Sequence, residues 1–274
     1  MDNFGSNNTR AAGLRHMLQI GQKARILILT ALPQEYSPLR KLFPSWRLVR
    51  KRPSKKFAFN LPGKEITLVE AGMGPNSVKE ALSDELSRFS PDLLMFCGFA
   101  GGLHPDLTEG VVCYTHSARE ISSEEVFKFR VSQDLSDFIV QNQIRPVFAL
   151  SADGPVDKQM LSCTAVEQPA VLDMETATVA ELASQNKIPF VCFRAVSDAV
   201  DQDLGFNLSD ISDERGRVRL AGVLGTIIRK PSALKAFYLS WRRSRLAARN
   251  LCGSVAAFLH VLPAMSGKIE GETQ

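Results

Sequence analysis

Short apolar runs of strand length recur along the chain and alternate with segments of helical periodicity. The predicted strands are RILILTA (25–31), ITLVEAG (66–72), DLLMFCG (92–98), GVVCYTHSA (110–118), RPVFAL (145–150) and FVCFRAVSD (190–198). Most are apolar on both faces, which is typical of strands in a parallel sheet that is covered by helices on both sides. The pattern therefore predicts an α/β layered fold with a mostly parallel sheet.

Two segments between these runs have helical periodicity. The first, GPNSVKEALSDELSRF, is expected to be capped by Asn76 or Ser77. Its apolar face consists of Val78, Leu82, Leu86 and Phe89. The second helix is predicted in METATVAELASQNK and ends before the pair Ile188-Pro189, while FAFNLPGK is typical of one arm of a hairpin.

The length and composition fit one domain with a sizeable core. The chain has 274 residues, of which 45% are hydrophobic. No apolar run reaches the roughly 18 residues that would span a bilayer. Residues 1–24 contain no continuous apolar stretch and are expected to form a disordered extension without a signal peptide. The domain is expected over residues 25–262, followed by a flexible tail at 263–274.

The cysteines indicate a reducing compartment, so a cytoplasmic protein is expected. Three of the five lie inside apolar runs and no two form a C-x-x-C pair. They are Cys97, Cys113, Cys163, Cys192 and Cys252. The four histidines show no spacing of metal ligands, and no metal site is expected.

The net charge of +4 is unevenly distributed. Between Tyr36 and Lys64 there are eight basic residues and no acid, and residues 215–260 are also free of acids. The second stretch includes Arg242, Arg243, Arg245 and Arg249. Each stretch is explained by a solvated surface or by attraction to phosphate, a membrane surface or nucleic acid. No nucleic-acid-binding motif is recognisable, so nucleic acid is not expected as a partner.

Polar residues collect at the carboxyl ends of the predicted strands, the edge at which α/β sheets bind ligands. Carboxylates come from three distant segments, as Glu35, Glu175 and Asp198. Met174, Ser197 and the glycine-rich turn GFAGG (98–102) accompany them. This convergence predicts a ligand or active site at one edge of the sheet.

Three carboxylates without metal ligands or a nucleophile–base pair favour proton transfer and the stabilisation of a cation. Cleavage of a sugar–base bond has these needs, because the ribosyl carbon becomes cationic. One carboxylic acid protonates the leaving group, one carboxylate positions the attacking oxygen and a third binds sugar hydroxyls. The glycine-rich turn presents backbone N–H groups but lacks the spacing of dinucleotide and P-loop motifs. Helix capping and core packing are the alternative explanations for each of these residues.

Together these segments resemble the nucleoside phosphorylase and nucleosidase superfamily, and in particular the methylthioadenosine/S-adenosylhomocysteine nucleosidases. RILILTALPQEYSPL is similar to that family's first strand and acid-rich turn, and GFAGGLHPDLTEGVV to its G-[ST]-A-G-G-L segment. VLDMETATVAELASQNKIPFVCFRAVSDAVDQ resembles its M-E-x-x-x-[AI]-A helix and R-x-[IV]-S-D strand end. The resemblance covers residues 25–202 and implies a three-layer phosphorylase-type fold with a parallel or mixed sheet. It also implies a purine nucleoside substrate, a homodimer and no cofactor, with inorganic phosphate as an optional co-substrate.

The resemblance assigns roles to individual residues. By it, Met174 packs under the ribose and Glu175 accepts hydrogen bonds from the ribose hydroxyls. Asp198 donates a proton to the purine and Glu35 activates water, whereas Asp173 is expected to serve local structure. Further substrate contacts are expected from Ala100, Gly101 and Ser197.

Two positions depart from the nucleosidase pattern. Phe99 stands where Ser or Thr helps to bind water or phosphate, which places an aromatic ring near the reacting centre. In the loop SADGPVDK (151–158), Pro155 replaces an aromatic residue, which leaves Val156 to pack on the base. Both features are similar to the hopanoid-associated branch of the superfamily, which acts on adenosylhopane. The basic C-terminal part would then meet an anionic membrane, unless its helices complete the domain or a dimer interface.

The sequence therefore predicts an enzyme that cleaves the N-glycosidic bond of a 5′-substituted adenosine and releases adenine. One alternative is a phosphorylase that acts on a lipid-linked adenosine. Another is a non-catalytic nucleoside-binding protein on the same fold. The joint presence of three carboxylates favours the enzyme, because a binding protein needs no proton donor, whereas Phe99 favours the binding protein.

Overall fold

The strands and helices follow the order in which the apolar runs occur along the chain. The computed structural model describes residues 23–154, 156, 161, 168–200 and 233–262, with the side chains of 233–240 excepted. Its strands are β1 (Ala24–Thr30), β2 (Arg47–Arg50), β3 (Lys55–Leu61), β4 (Lys64–Glu70), β5 (Leu93–Gly102), β6 (Val112–Glu120), β7 (Phe127–Lys128), β8 (Arg145–Ser151), β9 (Ala170–Asp173) and β10 (Phe190–Asp198). Its helices are α1 (Pro33–Tyr36), α2 (Leu39–Leu42), α3 (Pro75–Leu86), α4 (Gln133–Gln141), α5 (Thr176–Gln185) and α6 (Ala233–Val261). The expectations for residues 1–22 and 263–274 lie outside the described residues.

The sheet is mixed and part of it closes on itself. Strands β4, β1, β5 and β10 pair in parallel, and β3 and β2 extend the β4 side in antiparallel fashion. Strand β10 pairs with both β5 and β6, and β9 pairs with both β8 and β5. Since β6 also pairs with β8, the strands β5, β10, β6, β8 and β9 form a closed ring. The predicted α/β fold with a mixed sheet is confirmed, and the ring is a feature that the sequence pattern did not indicate.

Alternation along the buried strands creates a core on each side of the sheet, because successive side chains of a strand point to opposite faces. Ile26 and Ile28 of β1 belong to a cluster with residues of α4 and α6. Leu27 and Leu29 belong to a second cluster with residues of α3 and α5. The helices thus cover both faces of the sheet, as an apolar strand requires.

Two local expectations are wrong. Helix α3 is capped by Gly74, whose φ of 87° lies in the left-handed region, so Asn76 and Ser77 fall inside its first turn. Pro75 explains this start, because proline lacks the N–H that the first helical turn leaves unused. The second wrong expectation is the turn at 98–102, since this segment forms the last half of β5. Its Gly101 pairs with β10 and β9 instead of bending the chain.

The described cysteines are free and buried, as the sequence predicted. They are Cys97, Cys113, Cys192 and Cys252, while Cys163 lies outside the described residues. Burial raises the pKa of both Cys113 and Cys252 to about 12, so these thiols stay protonated at neutral pH. In the described ranges, no helix is long and apolar enough to span a bilayer, and no cluster of three candidate ligands could hold a metal ion.

Candidate active site

The carboxyl ends of β5 and β10 and the end of β9 meet at one edge of the sheet. Gly101 in β5 is the register partner of both Leu172 in β9 and Asp198 in β10. Met174 and Glu175 follow β9 directly, so they lie beside the same end of β5. The structure therefore brings the segments with Glu175 and Asp198 to one place, next to the glycine-rich end of β5.

Glu35 reaches the same place from helix α1, and its carboxylate is held by backbone groups. The N–H groups of Ala31 and Leu32 each donate to Oε2 at 2.8 Å, and the N–H of Phe99 donates to Oε1 at 3.0 Å. Burial raises the pKa of Glu35, and the backbone hydrogen bonds and Arg194 oppose this shift. The thiol of Cys252 in α6 donates to the main-chain oxygen of Glu35 at 3.1 Å. The first and last described helices are thus joined at the site.

A buried arginine, Arg194, lies among the carboxylates. It is 1% exposed, and its Nη2 lies 2.7 Å from Oδ2 of Asp173. Its Nε and Nη2 donate to Oγ1 of Thr176 at 3.1 and 2.6 Å, and the guanidinium lies 4.1 Å from the ring centre of Phe96. Arg194 was not predicted as a site residue. Its signal was an arginine in the middle of an apolar strand, since a fully buried guanidinium requires a partner.

Asp173 does more than local capping. Its Oδ1 accepts hydrogen bonds from Oγ of Ser151 at 2.6 Å and from the N–H groups of Glu175 and Thr176 at 3.2 and 3.1 Å. Its Oδ2 accepts a short hydrogen bond from Oγ1 of Thr176 and forms the ion pair with Arg194. One carboxylate therefore fixes the start of α5, the end of β8 and the guanidinium of β10. We conclude that Asp173 positions both Glu175 and Arg194.

Glu175 occupies the N-cap position of α5 and is buried. Its Oε1 accepts a hydrogen bond from the N–H of Gly74 at 2.7 Å, which ties it to the start of α3. Burial raises the pKa of Glu175 to about 7, an effect that Arg194 opposes and Asp173 reinforces. At neutral pH this carboxyl group is therefore close to its titration midpoint.

Gly98 permits the close approach of Glu35 and Arg194. A Cβ atom at this position would overlap Nη1 of Arg194 and would lie 2.9 Å from Oε1 of Glu35. The glycine is required by this crossing and not by a turn, because it lies within β5. The two side chains therefore pass over one point of the β5 backbone.

Asp198 lies at the end of β10, where the register with β5 shifts between Val196 and Asp198. Such irregularities change the direction of side chains at the end of a strand. Oγ of Ser197 donates to Oδ1 of Asp198 at 2.6 Å and also lies 3.4 Å from the carbonyl oxygen of Ala100. Both residues are half-buried.

The other predicted site residues differ in burial and in the elements to which they belong. The ring of Phe99 packs against the core cluster that includes α6, and its backbone N–H is the group that meets Glu35. Met174 is half-buried directly before Glu175, and Ala100 and Gly101 are buried in β5. Val156 is 40% exposed in the loop after β8, and its predicted contact with a base stays a prediction. Its neighbour Pro155 lies outside the described residues.

Fold and site together define the class of protein. Residues 25–229 match the model of the phosphorylase superfamily, and the chain belongs to that superfamily. The resemblance seen in the sequence is thereby confirmed.

Among relatives, the chain is similar to the 5′-methylthioadenosine/S-adenosylhomocysteine nucleosidases of Listeria welshimeri and Listeria innocua. It is 26% identical to each over 204 residues, which is 64% of this chain and 87% of the relative. Among solved structures, the Helicobacter pylori nucleosidase mutant with 5′-methylthioadenosine in its active site aligns with a TM-score of 0.67 at 15% identity, over 89% of this chain and 100% of the other. Futalosine hydrolase of Helicobacter pylori aligns with a TM-score of 0.66 at 14% identity, over 87% and 98%. These structural matches show the fold.

Proposed function

We propose that the protein hydrolyses the N-glycosidic bond of a 5′-substituted adenosine and releases adenine. The observation that supports this most directly is the charge of the site. Glu35 and Glu175 both interact electrostatically with the guanidinium of Arg194, but that guanidinium forms its ion pair with Asp173. In their ionised forms, these two carboxylates would stabilise the cationic ribosyl group that forms as a glycosidic bond breaks.

Each carboxyl group has a separate task in this reaction. Asp198 donates a proton to the purine ring, so that the base leaves as neutral adenine. Glu175 accepts hydrogen bonds from the ribose hydroxyls above Met174. Glu35 takes a proton from the attacking water, and its backbone hydrogen bonds keep the carboxylate aimed at that water. The water oxygen bonds to the ribosyl carbon and completes the hydrolysis.

Occupation of the Phe99 N–H favours water over phosphate as the attacking group. In a glycine-rich segment this N–H would be a natural donor to a phosphate oxygen, but here it donates to Glu35. A phosphate dianion would also stand beside two buried carboxyl groups. A second candidate, phosphorolysis of a lipid-linked adenosine such as adenosylhopane, is supported by the apolar Phe99 and by the sequence D-G-P-V at 153–156.

The test is the release of adenine from adenosine, methylthioadenosine and S-adenosylhomocysteine, each with and without inorganic phosphate, followed by chromatography. We expect adenine in the absence of phosphate, with free ribose or a 5′-substituted ribose as the other product. Adenine and a ribose 1-phosphate only in the presence of phosphate would replace the proposal with the second candidate. Absence of adenine from all three nucleosides would overturn the proposed substrate class.

The raised pKa of Glu175 gives a prediction about pH. If the ionised form binds ribose hydroxyls, kcat/KM should fall about tenfold per pH unit below pH 7. Stability should change in the opposite direction, because between pH 4.5 and about 7 the folded protein holds a proton that the unfolded chain has lost. The free energy of unfolding of the wild type should therefore decrease through this window as the pH rises.

Glu175→Gln is the matched variant, because its amide oxygen can still accept the Gly74 N–H. The unfolding free energy of the wild type, minus that of this variant, should decrease as the pH rises from 5 to 7. The measurement is urea unfolding at a series of pH values. A difference in stability that does not depend on pH would show that Glu175 does not titrate in this range.

A further inference from the structure

One surface of the protein is both strongly basic and apolar. It is formed by the exposed residues of α2 and by the segment 47–52, and it is called the α2–β2 surface here. Its exposed cations are Arg40, Lys41, Arg47, Lys51 and Arg52. There is no acidic residue in the sequence between Tyr36 and Lys64. Within the described part of the chain, none of the five cations forms an ion pair.

Large aliphatic side chains are exposed among these cations. Leu42 is 53% exposed, Leu48 is 44% exposed and Val49 is 49% exposed. Scattered single apolar residues are normal on a protein surface, but three large ones within eight positions of sequence need an explanation. The combination of aliphatic tips and surrounding Lys and Arg is typical of surfaces that lie on a bilayer.

The two parts of the surface are contiguous in space. The guanidinium of Arg40 in α2 lies 5.2 Å from the ring centre of Phe57 in β3. Leu48 of β2 is the register partner of that same Phe57. Arg50 is engaged elsewhere, since it binds Asp84 and Glu85 of α3. These contacts place Arg40 and Leu48 on the same side of the β2–β3 pair, and the α2–β2 surface does not include Arg50, which binds α3.

Protection of an exposed sheet edge does not account for the patch. Among the strands that the structure describes, β2 is the last on its side of the sheet, and charged residues on such a strand prevent pairing with another molecule. This role explains Arg47 and Lys51. It leaves unexplained the aliphatic side chains of Leu48 and Val49, which would favour aggregation, and the cations on α2. Nucleic acid would likewise use the cations and gain little from the aliphatic tips.

We propose that the α2–β2 surface docks the protein on an anionic lipid bilayer. The cations lie against lipid phosphates and carboxylates, and Leu42, Leu48 and Val49 enter the headgroup region. In the sheet register, Arg50 of β2 lies opposite Lys56 of β3, and Lys55 of β3 lies opposite Glu70 at the carboxyl end of β4. The β2–β3 connection thus lies at the same end of the sheet's strands as the candidate site, with β3 and β4 between β2 and β1. The proposal does not depend on the proposed reaction.

The test is sedimentation of the full chain with vesicles of phosphatidylcholine alone or of phosphatidylcholine with phosphatidylserine. We expect binding to the anionic vesicles that weakens with added salt. In the variant Lys41→Glu, Arg47→Glu, Lys51→Glu, affinity should fall at least about a hundredfold, since each cation near an anionic surface contributes about fivefold. The matched variant Lys79→Glu, Lys128→Glu, Arg145→Glu has the same net charge and changes exposed residues elsewhere, and it should lose far less.

The aliphatic side chains are tested separately. Leu42→Ser with Val49→Ser should weaken binding to anionic vesicles about tenfold or more. Val126→Ser with Val131→Ser changes side chains that are 42% and 46% exposed outside the patch, and it should have little effect.

Three results would overturn the proposal: no binding of the wild type to anionic vesicles, equal losses in the patch and matched variants, or equal binding to both kinds of vesicle. Binding of a homopolymeric RNA in competition with the vesicles, abolished by the triple charge reversal alone, would assign the surface to nucleic acid instead. Adenine release is not measured in any arm, so failure here leaves the proposed reaction unaffected.

Discussion

Asp198→Asn is expected to lower the rate of adenine release about a thousandfold or more while the fold is retained. The amide oxygen can still accept the hydrogen bond from Ser197, so the end of β10 keeps its arrangement. The amide cannot deliver a proton to the leaving base, and expulsion of an unprotonated purine is slow. The measurement is single-turnover release of adenine, with the thermal unfolding midpoint as the check on folding.

Asp134→Asn is the matched control, because this exposed acid lies in the first turn of α4 and away from the site. It should retain wild-type activity. A folded Asp198→Asn protein with more than about a tenth of wild-type activity would remove Asp198 from the role of proton donor.

Arg194→Met is expected to have the largest effect on stability, about 3–5 kcal/mol of unfolding free energy. Removal of the guanidinium leaves Asp173 buried without its counter-charge and Thr176 without its donor. It also removes the cation that opposes the raised pKa of Glu175. The variant should therefore be less stable by urea unfolding, and the acid limb of its kcat/KM profile should move to higher pH.

Two further variants test that explanation. Arg243→Met breaks the 2.7 Å ion pair with Glu109, whose two side chains are 22% and 26% exposed, and should cost about 1 kcal/mol. Asp173→Asn combined with Arg194→Met should cost much less than the sum of the single changes, because the double variant leaves neither member of this ion pair buried without its partner. Additive losses would mean that the pair is not coupled, and the assigned role of Asp173 would be wrong.

The main strands could be predicted from the sequence because burial on both faces makes nearly every residue of such a strand apolar. The structure has β10 at Phe190–Asp198, the range that the sequence gives, and β1 within a residue of its predicted range. The predicted strand ends also indicated that Glu35, Glu175 and Asp198 lie near one another, because polar residues that follow parallel apolar strands fall at one edge of a sheet. Their roles remain predictions until the variants are measured.

The features that were missed depend on contacts between distant segments. Strand β9 has only four residues, and its pairing with β5 is what closes the ring, so no local pattern indicated the closure. The glycines at 98–102 suggested a turn because glycine is common in turns. Gly98 instead leaves room for the side chains of Glu35 and Arg194, which a Cβ atom would displace. Arg194 was not predicted and Asp173 was expected only to serve local structure, because their ion pair joins two separate segments of the chain.

The contact between α6 and Glu35 has a consequence for the order in which the protein can become active during synthesis. Glu35 lies near the start of the chain, and its main-chain oxygen is bound by Cys252, which is more than two hundred residues later. The core face of β1 that includes Ile26 and Ile28 is completed by the same late helix. A ribosome therefore has to release α6 before the first strand can bury that face. Until then, this face of β1 lacks the cover of α6, and the main-chain oxygen of Glu35 lacks its bond to Cys252.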